Sequence, residues 1–258
     1  MLSETSRQQS STLFEGMTSI RALVRAREEE ISDRRIESFY IDPSRFAAKE
    51  KELNYIEKLA REYDVPVEKI STEEFDGMTV GNTHGGVAAL CTGRTLPELD
   101  KDRIDPAGFY VMIEGIEDPY NFGYAIRSIY ASGAAGLVVS PRNWLSAAGV
   151  VCRSSAGASE MMKIFVSDAA SAVDVFKGCG YKVCAAGIRD SVSAYDADLR
   201  YPLFLIVGGE KRGISRAVLD KCDMIVRLDY GRHFNASLSA ASAASILSYE
   251  VLRQNRTK

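Results

Sequence analysis

Three loops hold the residues whose types and spacing could do chemistry. "GIEDPYNFGYAIRS" (115–128) sets Asp118 and Pro119 at a strand end and opens a helix, where proline suits the first turn. Asn121 and Arg127 follow six residues apart, nearly two turns, which puts them on roughly one side of that helix. Arg127 is flanked by apolar residues, and its plain structural role would be to pair with a carboxylate. "VGGEKRGIS" (207–215) ends a strand on Gly208 and Gly209, with Glu210 next and Gly213 before another helix. Glycines let backbone N–H groups approach a ligand, although the same turn also serves as an ordinary connection. It is neither a P-loop nor a G-x-G-x-x-G fingerprint. "RLDYGRHFNASLSAASAASILSYE" (227–250) runs from a glycine-containing loop into a helix of small side chains. Serines 239, 242, 245 and 248 recur every third residue, a narrow stripe that admits a close helix. At its start, Ser237 and Ser239 flank free N–H donors where a polar or anionic ligand could dock.

These loops need strands and helices to hold them. From residue 108 onward, apolar runs such as "FYVMIEGI", "GLVVS", "KIFVS", "YKVCAAG", "LFLIVGG" and "MIVRLDY" alternate with helical segments. Near-continuous apolar strands are buried on both faces, so the alternation predicts an α/β fold with a parallel sheet. Ligands in such sheets sit at the carboxyl ends of strands. The loops after Ile116, Ala186, Val207 and Tyr230 are therefore the ones to inspect. The first part reads as a small α/β domain over 13–91, after a polar, disordered tail over 1–12. Its first helix carries Ile20, Leu23, Val24 and Arg27 at helical spacing, with Ser19 as a cap. The polar stretch 92–107 reads as a linker, and 108–258 as the second domain.

The 258 residues carry a net charge of −3, so no global field attracts nucleic acid, and RNA binding would need a local basic patch. Five cysteines form no C-x-x-C pair and only two histidines accompany them, so no metal site is expected. Free thiols fit a reducing compartment. No export signal and no run of about 18 apolar residues is present, which makes a cytoplasmic protein with no membrane partner the expectation.

In order and context, the three loops resemble the motifs of the SpoU-type (TrmH-like) branch of the SPOUT methyltransferases. That family carries D-P-x-N-x-G-x-x-x-R, then G-x-E-x-x-G-(I/L), then a strand followed by S-L-N opening the last helix. Asp118 to Arg127, Gly208 to Ile214 and Leu228 to Leu238 match in order, over about residues 108–255. More weakly, the first domain resembles the ribosomal-protein-like RNA-binding domain that often precedes the catalytic one, with "HGGVAAL" where an H-Q-G strand is common.

The resemblance implies a deep trefoil knot in the second domain. It implies S-adenosyl-L-methionine held largely by backbone near Ala186, Gly208, Gly209, Leu228 and Leu238, and a homodimer whose sites draw on both chains. The implied reaction is methyl transfer to a ribose 2′-hydroxyl of RNA, with no DNA partner. The residue matching Arg127 is proposed in the family to act as a base. Because arginine stays charged, an electrostatic role fits better. Asn121 would orient the ribose or the arginine, Glu210 would fix its loop and help position Arg127, and Ser237 would bond substrate or cofactor. Ser239 stands where asparagine is usual. RNA contacts are expected from Arg142, Arg153 and Arg232, the last two in loops near the motifs. Arg21, Arg25, Arg27, Arg34 and Arg35 could add to them or form a solvated face balanced by Glu28, Glu29 and Glu30. The alternative is a non-catalytic RNA-binding or ribosome-assembly protein on the same fold, motivated by Ser239 and the acidic net charge.

Overall fold

The computed structural model describes residues 12–46, 49–81, 83–140, 147–209 and 213–256. The chain divides into two compact units, one of residues 1–95 and 143–161, the other of 96–142 and 162–258.

The second unit is built on seven parallel strands. In chain order they are β5 (Phe109–Ile113), β6 (Gly136–Val139), β7 (Ile164–Val166), β8 (Lys182–Ala186), β9 (Val192–Ser193), β10 (Leu203–Val207) and β11 (Met224–Arg227). The sheet order is β7-β6-β5-β10-β8-β11-β9. Leu205 of β10 lies opposite Val111 on one side and Cys184 on the other. Every residue of β5, β6 and β10 is buried, as expected of strands covered on both faces. Side chains alternate between faces. On one face Tyr110, Met112, Val138, Phe204 and Ile206 form a core with helix α8 (Ala169–Gly178). There Phe176 stacks on Phe204 with centroids 4.0 Å apart. Helix α5 (Pro119–Ala131) packs along helix α10 (Ala240–Asn255), which also touches β10. The edge strand β9, two residues long, is too short to register in a hydrophobic pattern.

The first unit has the sheet order β1-β4-β2-β3, from β1 (Leu13–Glu15), β2 (Ile36–Ile41), β3 (Val67–Lys69) and β4 (Val87–Cys91). Strand β4 is antiparallel to β1 and β2, while β2 and β3 run parallel. Helices α1 (Gly16–Glu28), α2 (Pro43–Phe46), α3 (Glu50–Tyr63) and α4 (Thr72–Met78) accompany them. Phe14, Ile20, Leu23, Phe39, Ile56, Leu59 and Val87 fill the core. Ser71 caps α4 through a reciprocal capping box with Glu74. The cap of α1 is Glu15, and Ser19 lies buried inside the helix, because the chain enters α1 directly from β1.

The units divide at 95/96, inside the expected linker 92–107, and the first unit also takes in 143–161. Helices α6 (Ala148–Ser154) and α7 (Ala158–Met161) pack within the first unit. Three contacts of distant sequence hold them there. Arg34 Nε meets Glu160 Oε2 at 3.1 Å, Arg94 Nη1 donates to Ser159 O at 2.8 Å, and Arg153 Nη1 meets Glu15 Oε2 at 2.6 Å. Arg34 and Glu160 are both buried, and such a pair is costly to break once desolvated.

Candidate active site

The carboxyl ends of β8, β10 and β11 open onto one cavity of about 550 Å3 in the second unit. Ala186 ends β8, Gly208 and Gly209 follow β10, and Leu228 follows β11. All four line the cavity, together with Ser237 and Leu238 ahead of α10. The positions are far apart in sequence and meet because parallel strands deliver all their carboxyl ends to one edge.

Backbone proximity dictates the glycines. A Cβ on Gly208 would fall 2.9 Å from the Ile214 nitrogen, and Gly209 lies against Gly115, whose φ is +81°. Gly213 returns to pair with Gly209, its N–H donating to Gly209 O at 3.1 Å. At Gly208 and Gly209 the wall is therefore main chain, with no room for a side chain. Apolar groups complete it: Ile188, Ile214, Val226, Leu228, Leu238 and Leu247. The loop after β11 is tied down by Asp229, which accepts from the Ser193 hydroxyl and from Arg227 Nε at 2.8 Å. The Ser193 hydroxyl first, and the Arg227 guanidinium second, hold the Asp229 carboxyl below its ordinary value.

Ser239 caps helix α10. Its hydroxyl accepts from Ser242 N–H at 3.1 Å. Serine and asparagine are about equally good at this position, so Ser239 keeps the helix start intact. It also occupies a donor that the sequence reading leaves free for a ligand. Ser237, two residues earlier, is exposed. The serines do not form one stripe, because a period of three drifts around a helix of 3.6 residues per turn. Ser242 is exposed, Ser245 bonds back to Ala241 O at 2.8 Å, and Ser248 is fully buried. The buried face of α10 is Ala240, Ala241, Ala244, Leu247, Ser248 and Val251, and its small members let α5 lie close.

Helix α5 starts at Asp118, whose carboxylate accepts from Asn121 N–H at 2.7 Å, with Pro119 in the first turn. Asn121 and Arg127 do not share a side. Six residues leave about 120° between them around the axis, with Asn121 half-buried and Arg127 exposed. Arg127 makes no ion pair or hydrogen bond with another described residue. Neither residue is on the cavity wall. Glu210 and Arg142 lie outside the described residues. Arg153 sits on helix α6 of the first unit, not in a loop, and Glu15 engages its guanidinium. Arg232 is exposed in the loop between β11 and α10. In the first unit Arg25 pairs with Glu29, Arg27 covers the Tyr63 ring at 4.3 Å, and Arg34 is buried.

The sequence reading misses Ile188, Asp229, Tyr230 and Phe234 as cavity residues. Three of them fall within three residues of a strand end, which is the signal that could have found them.

Residues 108–249 match the model of the SpoU rRNA Methylase family, and residues 13–97 match the model described as RNA 2′-O ribose methyltransferase substrate binding. A Staphylococcus haemolyticus protein assigned to the TrmH family of tRNA/rRNA methyltransferases is 31% identical over 212 residues, 80% of this chain and 84% of that one. A Staphylococcus saprophyticus counterpart is 29% identical over the same shares. Among solved structures, the chain is similar to an AdoMet-bound rRNA methyltransferase from Sinorhizobium meliloti, with a TM-score of 0.79 at 16% identity over 100% of this chain and 98% of that one. It is also similar to the SpoU methyltransferase AviRb from Streptomyces viridochromogenes in complex with AdoMet, with a TM-score of 0.76 at 22% identity over 99% and 100%. A family model matched over residues 108–249, more than half of the chain, on a parallel sheet that brings residues of the second and third motifs to one cavity, makes this chain a member of the SpoU methylase family.

Proposed function

We propose that this protein transfers a methyl group from S-adenosyl-L-methionine to a ribose 2′-hydroxyl of RNA. We further propose that it acts in the cytoplasm as a homodimer whose second unit is knotted. The observation that carries this reading is the single cavity at the ends of β8, β10 and β11, lined by all five residues that the motifs assign to the cofactor. The cavity suits that ligand. Ile188, Ile214, Leu228 and Leu238 offer apolar walls for a purine, and the main chain at Gly208 and Gly209 offers polar groups at close range. The bound cofactor supplies a methyl group on a positively charged sulfur, open to displacement by an oxygen nucleophile.

The protein must then hold the 2′-hydroxyl in line and lower the cost of charge on its oxygen. The exposed guanidinium of Arg127 is suited to both. It stays charged, holds a phosphate or the developing alkoxide, and lets the hydroxyl proton pass to solvent. Asn121 orients the ribose from the first turn of the same helix, Ser237 donates to the substrate from the cavity wall, and Glu210 steadies the loop after Gly209. In this reading Arg127 serves the site of a partner subunit, and the absence of α5 from the cavity wall of its own chain supports that arrangement. Ser239 acts by capping α10. The domain matched over 13–97 recruits RNA, and Arg232 adds a contact beside the cavity.

Labelled S-adenosylmethionine incubated with cellular RNA stripped of its modifications tests the reading. Label is expected in RNA with the wild type and at least a hundredfold less with Arg127→Ala. Equal labelling by both proteins would remove Arg127 from the mechanism.

A further inference from the structure

The loop between β11 and α10 carries a feature the mechanism does not use. Tyr230 and Phe234 form an edge-to-face pair with ring centroids 5.9 Å apart at 65°. Both line the cavity, yet they are 39% and 57% exposed. Single exposed apolar side chains are ordinary. Here two aromatic rings and Ile188, 70% exposed, line the same cavity. The pair is also held in place: the Tyr230 hydroxyl accepts from Leu238 N–H at 3.1 Å, which ties its ring to the start of α10. Arg232 and His233, both exposed, stand between the rings in sequence and supply donors for phosphate.

From this geometry we infer that Tyr230 and Phe234 form a stacking platform for a nucleobase of the RNA beside the methylated ribose. An unstacked base presents a flat apolar face and a polar edge, and proteins that bind single-stranded RNA receive it on aromatic rings. A preorganised pair with open ring area meets that need, and the flanking cation follows the backbone. The rings thus select an unpaired nucleotide over one stacked in a helix, which makes them positioning residues for the target. This rests on the proposed RNA substrate.

The test compares Phe234→Leu and Phe234→Trp with the wild type in the full-length protein. Three quantities are measured: apparent KM for demodified cellular RNA, kcat, and S-adenosylmethionine affinity by calorimetry. Leucine keeps apolar bulk but cannot stack, and tryptophan stacks. The expected result is an apparent KM for RNA raised about tenfold by Phe234→Leu and near wild type with Phe234→Trp, with S-adenosylmethionine affinity changing much less than the RNA KM. An unchanged KM in Phe234→Leu overturns the platform. So does a parallel loss of cofactor affinity, which would make the pair a cover for the cofactor. If the wild type transfers no methyl group, the proposed function fails by itself. The platform is then judged by anisotropy with a fluorescein-labelled mixed-sequence RNA decamer: weaker binding by Phe234→Leu, restored by Phe234→Trp, supports it, and equal binding overturns it.

Discussion

Gly209 lies against Gly115 so closely that a Cβ on Gly209 would fall 2.6 Å from the Gly115 carbonyl carbon and 2.7 Å from Glu114 O. This contact joins the segment after β5 to the segment after β10, and so sets one wall of the cavity. Gly209→Ala must push backbone against backbone, which costs about 1–3 kcal/mol, as overpacking does elsewhere. Chemical denaturation is expected to show that loss, and calorimetry a weaker S-adenosylmethionine affinity. Wild-type values in both would remove the close approach from the account.

Ser239 yields a prediction that separates helix capping from chemistry. Ser239→Ala should cost about 1 kcal/mol, seen as a fall in Tm of about 2–4 °C. Ser239→Asn should leave both Tm and activity near wild type, because asparagine caps equally well. A large gain of activity in Ser239→Asn would instead mean that serine deprives the site of an amide.

The dimer prediction follows from the absence of α5 from the cavity wall. Arg127→Ala and Gly209→Ala proteins, each poorly active, should restore transfer when unfolded and refolded together. Each mixed dimer holds one site with both an intact wall and an intact arginine, so about a quarter of wild-type activity is expected from random pairing. Activity that stays at the level of the separate variants would place Arg127 and the cavity of one chain in the same site.

His84 makes the first unit sensitive to mild acid. Its side chain is buried beside the Phe75 ring, with centroids 4.8 Å apart, and its Nδ1 accepts from Gly86 N–H at 3.1 Å. Burial pushes its pKa below the ordinary 6.5. The unfolded chain therefore takes up the proton first. Stability is full above about pH 6.5 and declines as pH falls from there toward the lowered native value. Protonation would also turn Nδ1 from acceptor to donor against the Gly86 N–H. Denaturation midpoints between pH 7.5 and 5 should show this decline in the wild type and a flatter profile in His84→Asn, whose Oδ1 can still accept.

Much of this was legible because burial leaves a strong imprint on strands. The runs "FYVMI" and "LFLIV" are apolar throughout, and the structure buries every residue of both. The loop at Gly208 was legible for a related reason, since it follows an apolar strand, whereas Leu228 and Leu238 came from the motif resemblance: the run "MIVRLDY" reads as a strand to Tyr230, and the structure ends it at Arg227. Arg153 was not. Its partner Glu15 lies 138 residues away, and nothing local to either residue announces the pair. Strand β1, three residues long beside a polar tail, gave too short a pattern to detect. The small-residue helix misled in its detail, since a serine period of three looks like a stripe in the sequence and spreads around the helix in three dimensions.

The central claim concerns the atom that receives the methyl group. RNA labelled by the wild type, digested to nucleosides and resolved by mass spectrometry, locates it directly. The account predicts one methyl group on a ribose 2′-oxygen, absent from the Arg127→Ala reaction. A methyl group on a base, or label that persists without Arg127, would contradict it.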